Sequence, residues 1–391
     1  MEELLHQYNP WWEEQLDLSG IRPRPAQLDK ILSSVSEKRV VFLTGLRRVG
    51  KTTLMRLFVD HLIKGDHRPD EIFYVSLDDY LLKNNSIIEI VEEYRRIHKL
   101  SVDRSVYLLL DEITYKEDYL QQLKNLVDRE NVTILASASS SSLLRDRKAF
   151  LTGRSTMIEI QPLSFPEYLS FKNIRIPKRD QYLKDSYFSD YRREGGLPEN
   201  VLQPSREYLM TLVDDVIQKD ITAFHGLKDP QILRDYFTLL MERSGKPVSI
   251  NKISNILKIS PDSSRRYLGY FEETYLIHLL SRWGTTNERI LSPKKVYACD
   301  LGIKYLFTGE RDLGSYFENY VYLQLKGLRR LYYLREKDVE LDFYTEDGIL
   351  IEAKFNFELH GEQLETFKRF PAKQKYLIDS VASLSLLEEL R

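Results

Sequence analysis

The sequence predicts an α/β protein, with a parallel-sheet core near its N-terminal end and smaller helical and α/β modules behind it. Three observations carry that expectation. Val40–Phe58, VVFLTGLRRVGKTTLMRLF, reads as a buried strand, a glycine-bounded loop and a helix. Ser105–Leu110, SVYLLL, is a second apolar strand, and it ends on two acids, Asp111-Glu112. From about residue 26 to residue 165, strand-length apolar runs alternate with helix-period segments, the grammar of a parallel sheet with crossover helices.

The loop Gly45-Leu46-Arg47-Arg48-Val49-Gly50-Lys51-Thr52 fits G-x-x-x-x-G-K-S/T at every fixed position, in the strand-to-helix context the motif requires. Glycines at 45 and 50 let the backbone curl so that successive N–H groups face phosphate oxygens. A helix beginning near Lys51 adds the positive end of its dipole. Gly45 to Thr53 is therefore the expected nucleotide-contacting stretch. Lys51 is expected at the β- and γ-phosphates and the Thr52 hydroxyl at Mg²⁺. Asp111 ends a parallel strand, which puts it on the ligand edge of such a sheet, to hold Mg²⁺ directly or through water. Glu112 is placed to polarise the attacking water as general base. ATP and Mg²⁺ are the cofactors this reading implies.

The flanking elements follow in order. Met1–Ser19 is too short for a domain, and its adjacent Trp11 and Trp12 are expected to pack on a neighbour. Arg22–Arg24 is proline-interrupted, and Ala26–Ser36 has helical spacing at Leu28, Ile31 and Leu32. Glu71–Leu77 reads as a strand, Ile87–Ile97 and Tyr119–Asp128 as helices, and Val132–Ala136 as the next strand. Ser137 at that strand's tip has two readings: a contact to the γ-phosphate or attacking water, or part of a serine-rich loop that caps a helix at Leu143–Arg147. Met157–Ile160 is the expected last strand.

Composition sets limits. A chain of 391 residues suggests about two or three domains. Its formal net charge is −2, so any nucleic-acid surface is a local patch. The single cysteine, Cys299, excludes an internal disulfide framework and a cysteine zinc site. Met1–Pro10 is polar and acidic, unlike a secretory leader. No apolar run approaches the ~18–20 residues of a membrane span. The expectation is a cytoplasmic protein without a membrane partner.

Beyond Phe165 the grammar changes. Pro166–Phe171, Gln181–Arg193, Ser205–Thr222 and Pro230–Glu242 look helical, with a hard break at Gly195-Gly196-Leu197-Pro198. Ser249–Leu257 and Pro261–Thr274 are two short helices with a helix-turn-helix spacing, followed by a strand at Tyr275–Arg282. Together they read as a winged helix, with Arg265 and Arg266 near the start of the second helix, where a recognition helix contacts DNA. A packing module for protein contacts fits the same pattern. Further on, Val339–Tyr344 and Ile349–Phe355 flank an Asp347-Gly348 turn. Asp342, Glu352 and Lys354 converge across that hairpin as the D…E-x-K arrangement of PD-(D/E)XK nucleases. There the acids hold Mg²⁺ and the lysine activates water. Glu318, on a helix at Phe317–Lys326, is a candidate further ligand. The expected division is an N-terminal segment 1–20, a nucleotide domain 21–165, a helical connector or lid 166–242, a winged helix 243–285 and a nuclease-like α/β domain 286–391.

The chain as a whole resembles a prokaryotic, especially archaeal, AAA-type P-loop ATPase family with a fused C-terminal domain of unknown function. The resemblance rests on Asn9-Pro10-Trp11-Trp12, the Arg47-Arg48 loop, LLLDEI at Leu108–Ile113 and SASSSSLL at Ser137–Leu144. It continues through LTGR at Leu151–Arg154, PLSFPEY at Pro162–Tyr168 and GGLPE at Gly195–Glu199. VYACDLGI at Val296–Ile303, FENYV at Phe317–Val321, ELDF and IEAK complete it. It implies an AAA-like core, a winged-helix middle and a PD-(D/E)XK-like C-terminal fold. It also implies Lys51 and Thr52 at the phosphates, Asp111 and Glu112 at Mg²⁺ and water, Ser137 as sensor and Arg154 as a γ-phosphate arginine. Ala138 stands where the family usually has glycine.

The function expected is a Mg²⁺-dependent ATPase whose nucleotide state controls attached DNA-binding and nuclease-like domains. Two alternatives stand beside it: an ATP-regulated DNA nuclease, and a non-catalytic ATP-gated switch that binds a partner protein. Self-association is compatible with each.

Overall fold

The computed structural model describes residues 1–36, 38–140 and 153–390. The helix expected at Leu143–Arg147 and the Leu151-Thr152 part of the LTGR stretch lie outside the described residues. The chain divides into two units, Met1–Gln161 and Pro162–Arg391.

The first unit is a five-stranded, all-parallel sheet with helical crossovers. Its strands are β1 (Val40–Thr44), β2 (Ile72–Ser76), β3 (Val106–Asp111), β4 (Val132–Ser137) and β5 (Ser155–Glu159), in the order β2-β3-β4-β1-β5. β1 and β4 are buried throughout, which their uninterrupted apolar sequences require. The register pairs Leu43 with Ser137, Thr44 with Glu159 and Ser76 with Asp111. The C-terminal tips of all the strands therefore share one edge. β2 is an edge strand, and the N-terminal segment covers it. The Asn9 side chain bonds both the N–H and the carbonyl of Tyr74, and the indole N–H groups of Trp11 and Trp12 both donate to the Ile72 carbonyl. The adjacent tryptophans thus close an otherwise unpaired strand edge.

The second unit begins with helices Phe165–Phe171, Leu183–Glu194, Arg206–Asp215 and Pro230–Glu242. Helices Ile250–Leu257 and Pro261–Glu273 follow, joined through Lys258 in the left-handed conformation. Next comes an antiparallel pair, β6 (Ile277–Leu280) and β7 (Lys295–Ala298). The C-terminal sheet has the order β11-β10-β9-β8, with β8 (Leu331–Glu336), β9 (Val339–Thr345), β10 (Ile349–Ala353) and β11 (Gln374–Ile378). β10 and β11 are parallel and the other neighbours antiparallel. Helix Leu313–Leu325 packs Phe317, Tyr320 and Val321 into an aromatic core with Phe188, Tyr191 and Phe343. The Gly195-Gly196 break is a docking point for Asp300. Its carboxylate accepts from the Gly196 N–H at 2.6 Å and caps helix Leu301–Thr308 through the Ile303 N–H at 3.0 Å. No helix among the described residues is long and apolar enough to cross a membrane.

Candidate functional site

The phosphate loop leaves β1 at Thr44 and enters helix Lys51–Lys64. Gly45 has φ 132° and lies so close to β5 that a Cβ would sit 2.3 Å from the Ile160 carbonyl oxygen. Gly50 has φ 97° and starts the helix. Both glycines are therefore demanded by backbone geometry, and Gly45 by close approach as well. Lys51 is buried and folds back over the loop, donating to the Gly45 and Leu46 carbonyls at 2.9 and 3.0 Å. Arg24 braces the loop from below, bonding the Val49 and Gln161 carbonyls at 3.1 Å each. Arg48 is exposed with φ 65°, and Arg47 reaches the Tyr115 hydroxyl at 3.2 Å.

Asp111 is the hub of the site. Its Oδ2 accepts from Thr52 Oγ1 at 2.6 Å and from the Tyr74 hydroxyl at 3.0 Å, and its Oδ1 accepts from Ser137 Oγ. The Ser137 hydroxyl also accepts from the Glu112 N–H at 2.9 Å. Ser137 is fully buried, with its hydroxyl bonded to the two acids. In this geometry the Ser137 hydroxyl bridges Asp111 and the Glu112 backbone. Glu112 adopts φ 51°, ψ 49°, a left-handed conformation that costs a non-glycine residue about 1–2 kcal/mol. Ser139 donates to its carboxylate and fixes the direction in which it points. Burial, and then the Asp111 charge, hold the Tyr74 hydroxyl far above the ordinary tyrosine range, so it acts only as a neutral donor.

Arg154 does not join this site. It precedes β5, its carbonyl accepts from the Val40 N–H at the entry end of β1, and its guanidinium pairs with Asp128. At about 3.3 Å per residue, the length of β1 separates it from the loop by roughly 15 Å. A residue before a parallel strand lies at the sheet edge opposite the strand tips, and that is where the structure places Arg154. Arg265 and Arg266 are exposed on helix Pro261–Glu273, Arg265 paired with Asp262 at 3.1 Å and Arg266 bonded to Ser263 at 3.3 Å.

The second constellation does assemble. β9 and β10 pair Phe343 with Ile351, which sets Asp342 against Glu352, and the Asp342 N–H donates to Glu352 Oε2 at 3.0 Å. Lys354 Nζ lies 3.1 Å from Glu352 Oε1. Glu318 comes in from helix Leu313–Leu325. Burial, then the neighbouring Asp342 charge, raises the carboxyls of both Glu318 and Glu352. Sequence reasoning missed Lys295, which is 1% exposed and lies within 3.3 Å of Glu318, Glu340 and Asp342. Burial pulls its ammonium down, but the charges of Glu318, Asp342 and Glu340 outweigh that and hold it well above the usual lysine range. It also missed Tyr74, Arg24, Glu340 and Gln363. The signal that could have found Lys295 is its place directly against the apolar run VYA, second of the pair Lys294-Lys295, a position where a buried ammonium needs partners.

Two family models match the chain. Residues 37–169 match an AAA domain, and residues 185–313 match a domain of unknown function, DUF8612. An uncharacterized protein of Methanocaldococcus jannaschii, MJ1544, is 27% identical over 347 residues, covering 84% of this chain and 77% of that protein. An uncharacterized protein of Haemophilus influenzae is 26% identical over 370 residues, covering 90% of this chain and 91% of its own length. Among solved structures, the Walker-type ATPase PABY2304 of Pyrococcus abyssi aligns with a TM-score of 0.48 and 13% identity, covering 75% of this chain and 98% of that one. The matched family and the parallel sheet with its phosphate loop make the first unit an AAA-type P-loop domain, a nucleotide-binding fold.

Proposed function

We propose that the first unit is a Mg²⁺-dependent ATPase and that its nucleotide state controls what the second unit binds. The observation that carries this is the 2.6 Å contact between Thr52 and Asp111, which closes the phosphate loop onto the acidic strand tip. Gly45 to Thr53 offer the triphosphate a curled backbone and a helix N-terminus. Lys51, now bonded to loop carbonyls, is the cation that would transfer its donors to the β- and γ-phosphates. Thr52 and Asp111 supply the hard oxygen ligands that Mg²⁺ requires, so the residues fit that ion. When bound, Mg²⁺ neutralises charge that builds on the phosphates. Glu112 orients water, held by Ser139 and by the Ser137 bond to its N–H. Nucleotide binding and phosphate release, measured for the wild type and Lys51→Ala, test this. Equal behaviour of the two sinks the assignment. Glu112→Gln should keep binding and lose turnover by about two orders of magnitude or more.

DNA is the partner proposed for the second unit, through Arg265 and Arg266 at the start of an exposed helix that follows a helix-turn-helix spacing. A partner protein is the second reading. It is favoured by Ile290 and Leu291, which stand 74% and 82% exposed on helix Thr286–Leu291, because apolar side chains suit a protein surface better than a phosphate backbone. A salt-titrated binding assay with linear and branched DNA separates them. Affinity that falls steeply with salt supports DNA, and no affinity at low salt supports the protein partner.

A further inference from the structure

Lys295 opens β7 and is almost completely buried, and its ammonium lies over the Tyr333 ring, 5.8 Å from the ring centre. Its ammonium meets Glu340 at 2.8 Å, Glu318 at 3.1 Å and Asp342 at 3.3 Å. An ammonium has three protons and no acceptor, so three carboxylates saturate it. The neighbouring carboxylate oxygens are taken as well. Asp342 Oδ2 accepts from the Ala353 N–H at 3.1 Å, and Glu352 Oε2 from the Asp342 N–H at 3.0 Å. Glu352 Oε1 accepts from Lys354 at 3.1 Å and from Gln363 Nε2 at 2.6 Å. Glu318 Oε1 accepts from the Tyr297 hydroxyl at 2.7 Å besides Lys295.

We propose that Lys295 is the built-in cation of this acidic cluster. It takes the place a divalent ion would fill in a D…E-x-K site, so the C-terminal sheet holds no Mg²⁺ or Mn²⁺ and does not hydrolyse phosphodiesters. The residues do not fit the metal for a geometric reason. Mg²⁺ draws oxygens to about 2.0–2.1 Å in an octahedron. Here the carboxylate oxygens stand 2.8–3.3 Å from a nitrogen that already occupies their centre. A metal entering would strand a buried ammonium among like charges, a state that buried sites avoid. Among the described residues no set of three or more His, Cys, Asp and Glu is arranged to hold a metal ion. The cluster instead ties β7, helix Leu313–Leu325 and β9 together, so its role is cohesion of the second unit. This inference stands apart from the ATPase reading, because none of its residues belongs to the phosphate-loop site.

The test is Mn²⁺ binding to the full chain, read by electron paramagnetic resonance of free Mn²⁺. Thr52→Ala and Asp111→Asn are introduced first to silence the nucleotide site. The expected result is that adding Asp342→Asn to this parent changes the bound Mn²⁺ not at all, up to millimolar ion. Bound Mn²⁺ that Asp342→Asn abolishes would overturn the proposal. Lys295→Met in the same parent leaves three uncompensated carboxylates. It should raise Mn²⁺ affinity by about tenfold or more and make thermal stability rise with Mn²⁺, both effects vanishing when Asp342→Asn is added. A folded Lys295→Met chain with no gain in Mn²⁺ affinity also overturns it. The first comparison decides whether or not Lys295→Met folds.

Discussion

Tyr74→Phe is the sharpest probe of the nucleotide site, because it removes one oxygen and no packing. The Tyr74 hydroxyl is buried and donates to Asp111 Oδ2 at 3.0 Å, while Thr52 donates to the same oxygen at 2.6 Å. A hydrogen bond to a charged group contributes about 1.5–3 kcal/mol net. Asp111 keeps its Thr52 and Ser137 partners, so the low end applies, roughly 1.5 kcal/mol, or about tenfold in rate. The Tyr74 hydrogen bonds go to Asn9 and Asp111 and not to the loop, so the loss should fall on phosphate release and on the half-saturating Mg²⁺ concentration, with the KM for ATP little changed. Global stability should fall by no more than about the same 1.5 kcal/mol, since the ring and its packing remain. Tyr8→Phe is the control. Tyr8 donates to Asp79 Oδ2 at 2.7 Å and its ring lies 6.0 Å from that of Tyr74, but it does not touch Asp111. Steady-state phosphate release across a Mg²⁺ titration is the assay. Wild-type turnover and Mg²⁺ dependence in Tyr74→Phe, or an equal defect in Tyr8→Phe, refutes the reasoning.

The second unit yields two further predictions. Gly195→Ala places a Cβ 2.1 Å from Asp300 Oδ1 at φ 77°, so it should destabilise this unit by about 3 kcal/mol or more. That lowers its melting temperature by roughly 10 °C, and a calorimetric trace unchanged from wild type would contradict the packing described. Burial pushes the Asp300 carboxyl from 3.8 up to about 6, against the N–H bonds from Gly196, Ile303 and Gly302 that pull it down. Between pH 4 and 6 the folded state therefore holds a proton that the unfolded chain has released. Stability should fall as pH rises through that window, by roughly 3 kcal/mol at most, and level off above it. Urea unfolding of the wild type against Asp300→Asn at pH 4 and pH 7 checks this. A wild type that gains on the variant toward pH 7 would reverse the sign and refute the assignment.

The acidic cluster and the nucleotide site contrast in how they treat charge. Asp111 is buried but spends its oxygens on neutral hydroxyls from Thr52, Tyr74 and Ser137, which leaves its negative charge available to a cation. Asp342 and Glu340 spend theirs on a lysine. The same residue type thus serves opposite ends: hydroxyl partners hold a carboxylate in place, and an ammonium partner neutralises it.

The chain order by itself determined what is local. Gly45, Gly50, Lys51 and Thr52 lie within eight residues, and strand, loop and helix propensities place them without help from the rest of the chain. Alternation across the Asp347-Gly348 turn likewise brought Asp342 and Glu352 to one face. Asp111-Glu112 was legible because an apolar run that stops at acids marks a strand tip. Strand β11, helix Leu301–Thr308 and the cover that Trp11 and Trp12 give to β2 were not resolved by pattern, because the segments they pack on are distant in the chain. The position of Arg154 at the entry end of β5 was likewise hidden from the sequence, since only the parallel register says at which edge of the sheet a side chain emerges. Tyr74 and Lys295 show the limit most clearly. One looks like a packing aromatic and the other like a surface lysine, and only the tertiary structure sets a carboxylate against each. Propensity is a property of a few consecutive residues, whereas the charge a buried side chain meets is decided by which strands the fold brings together.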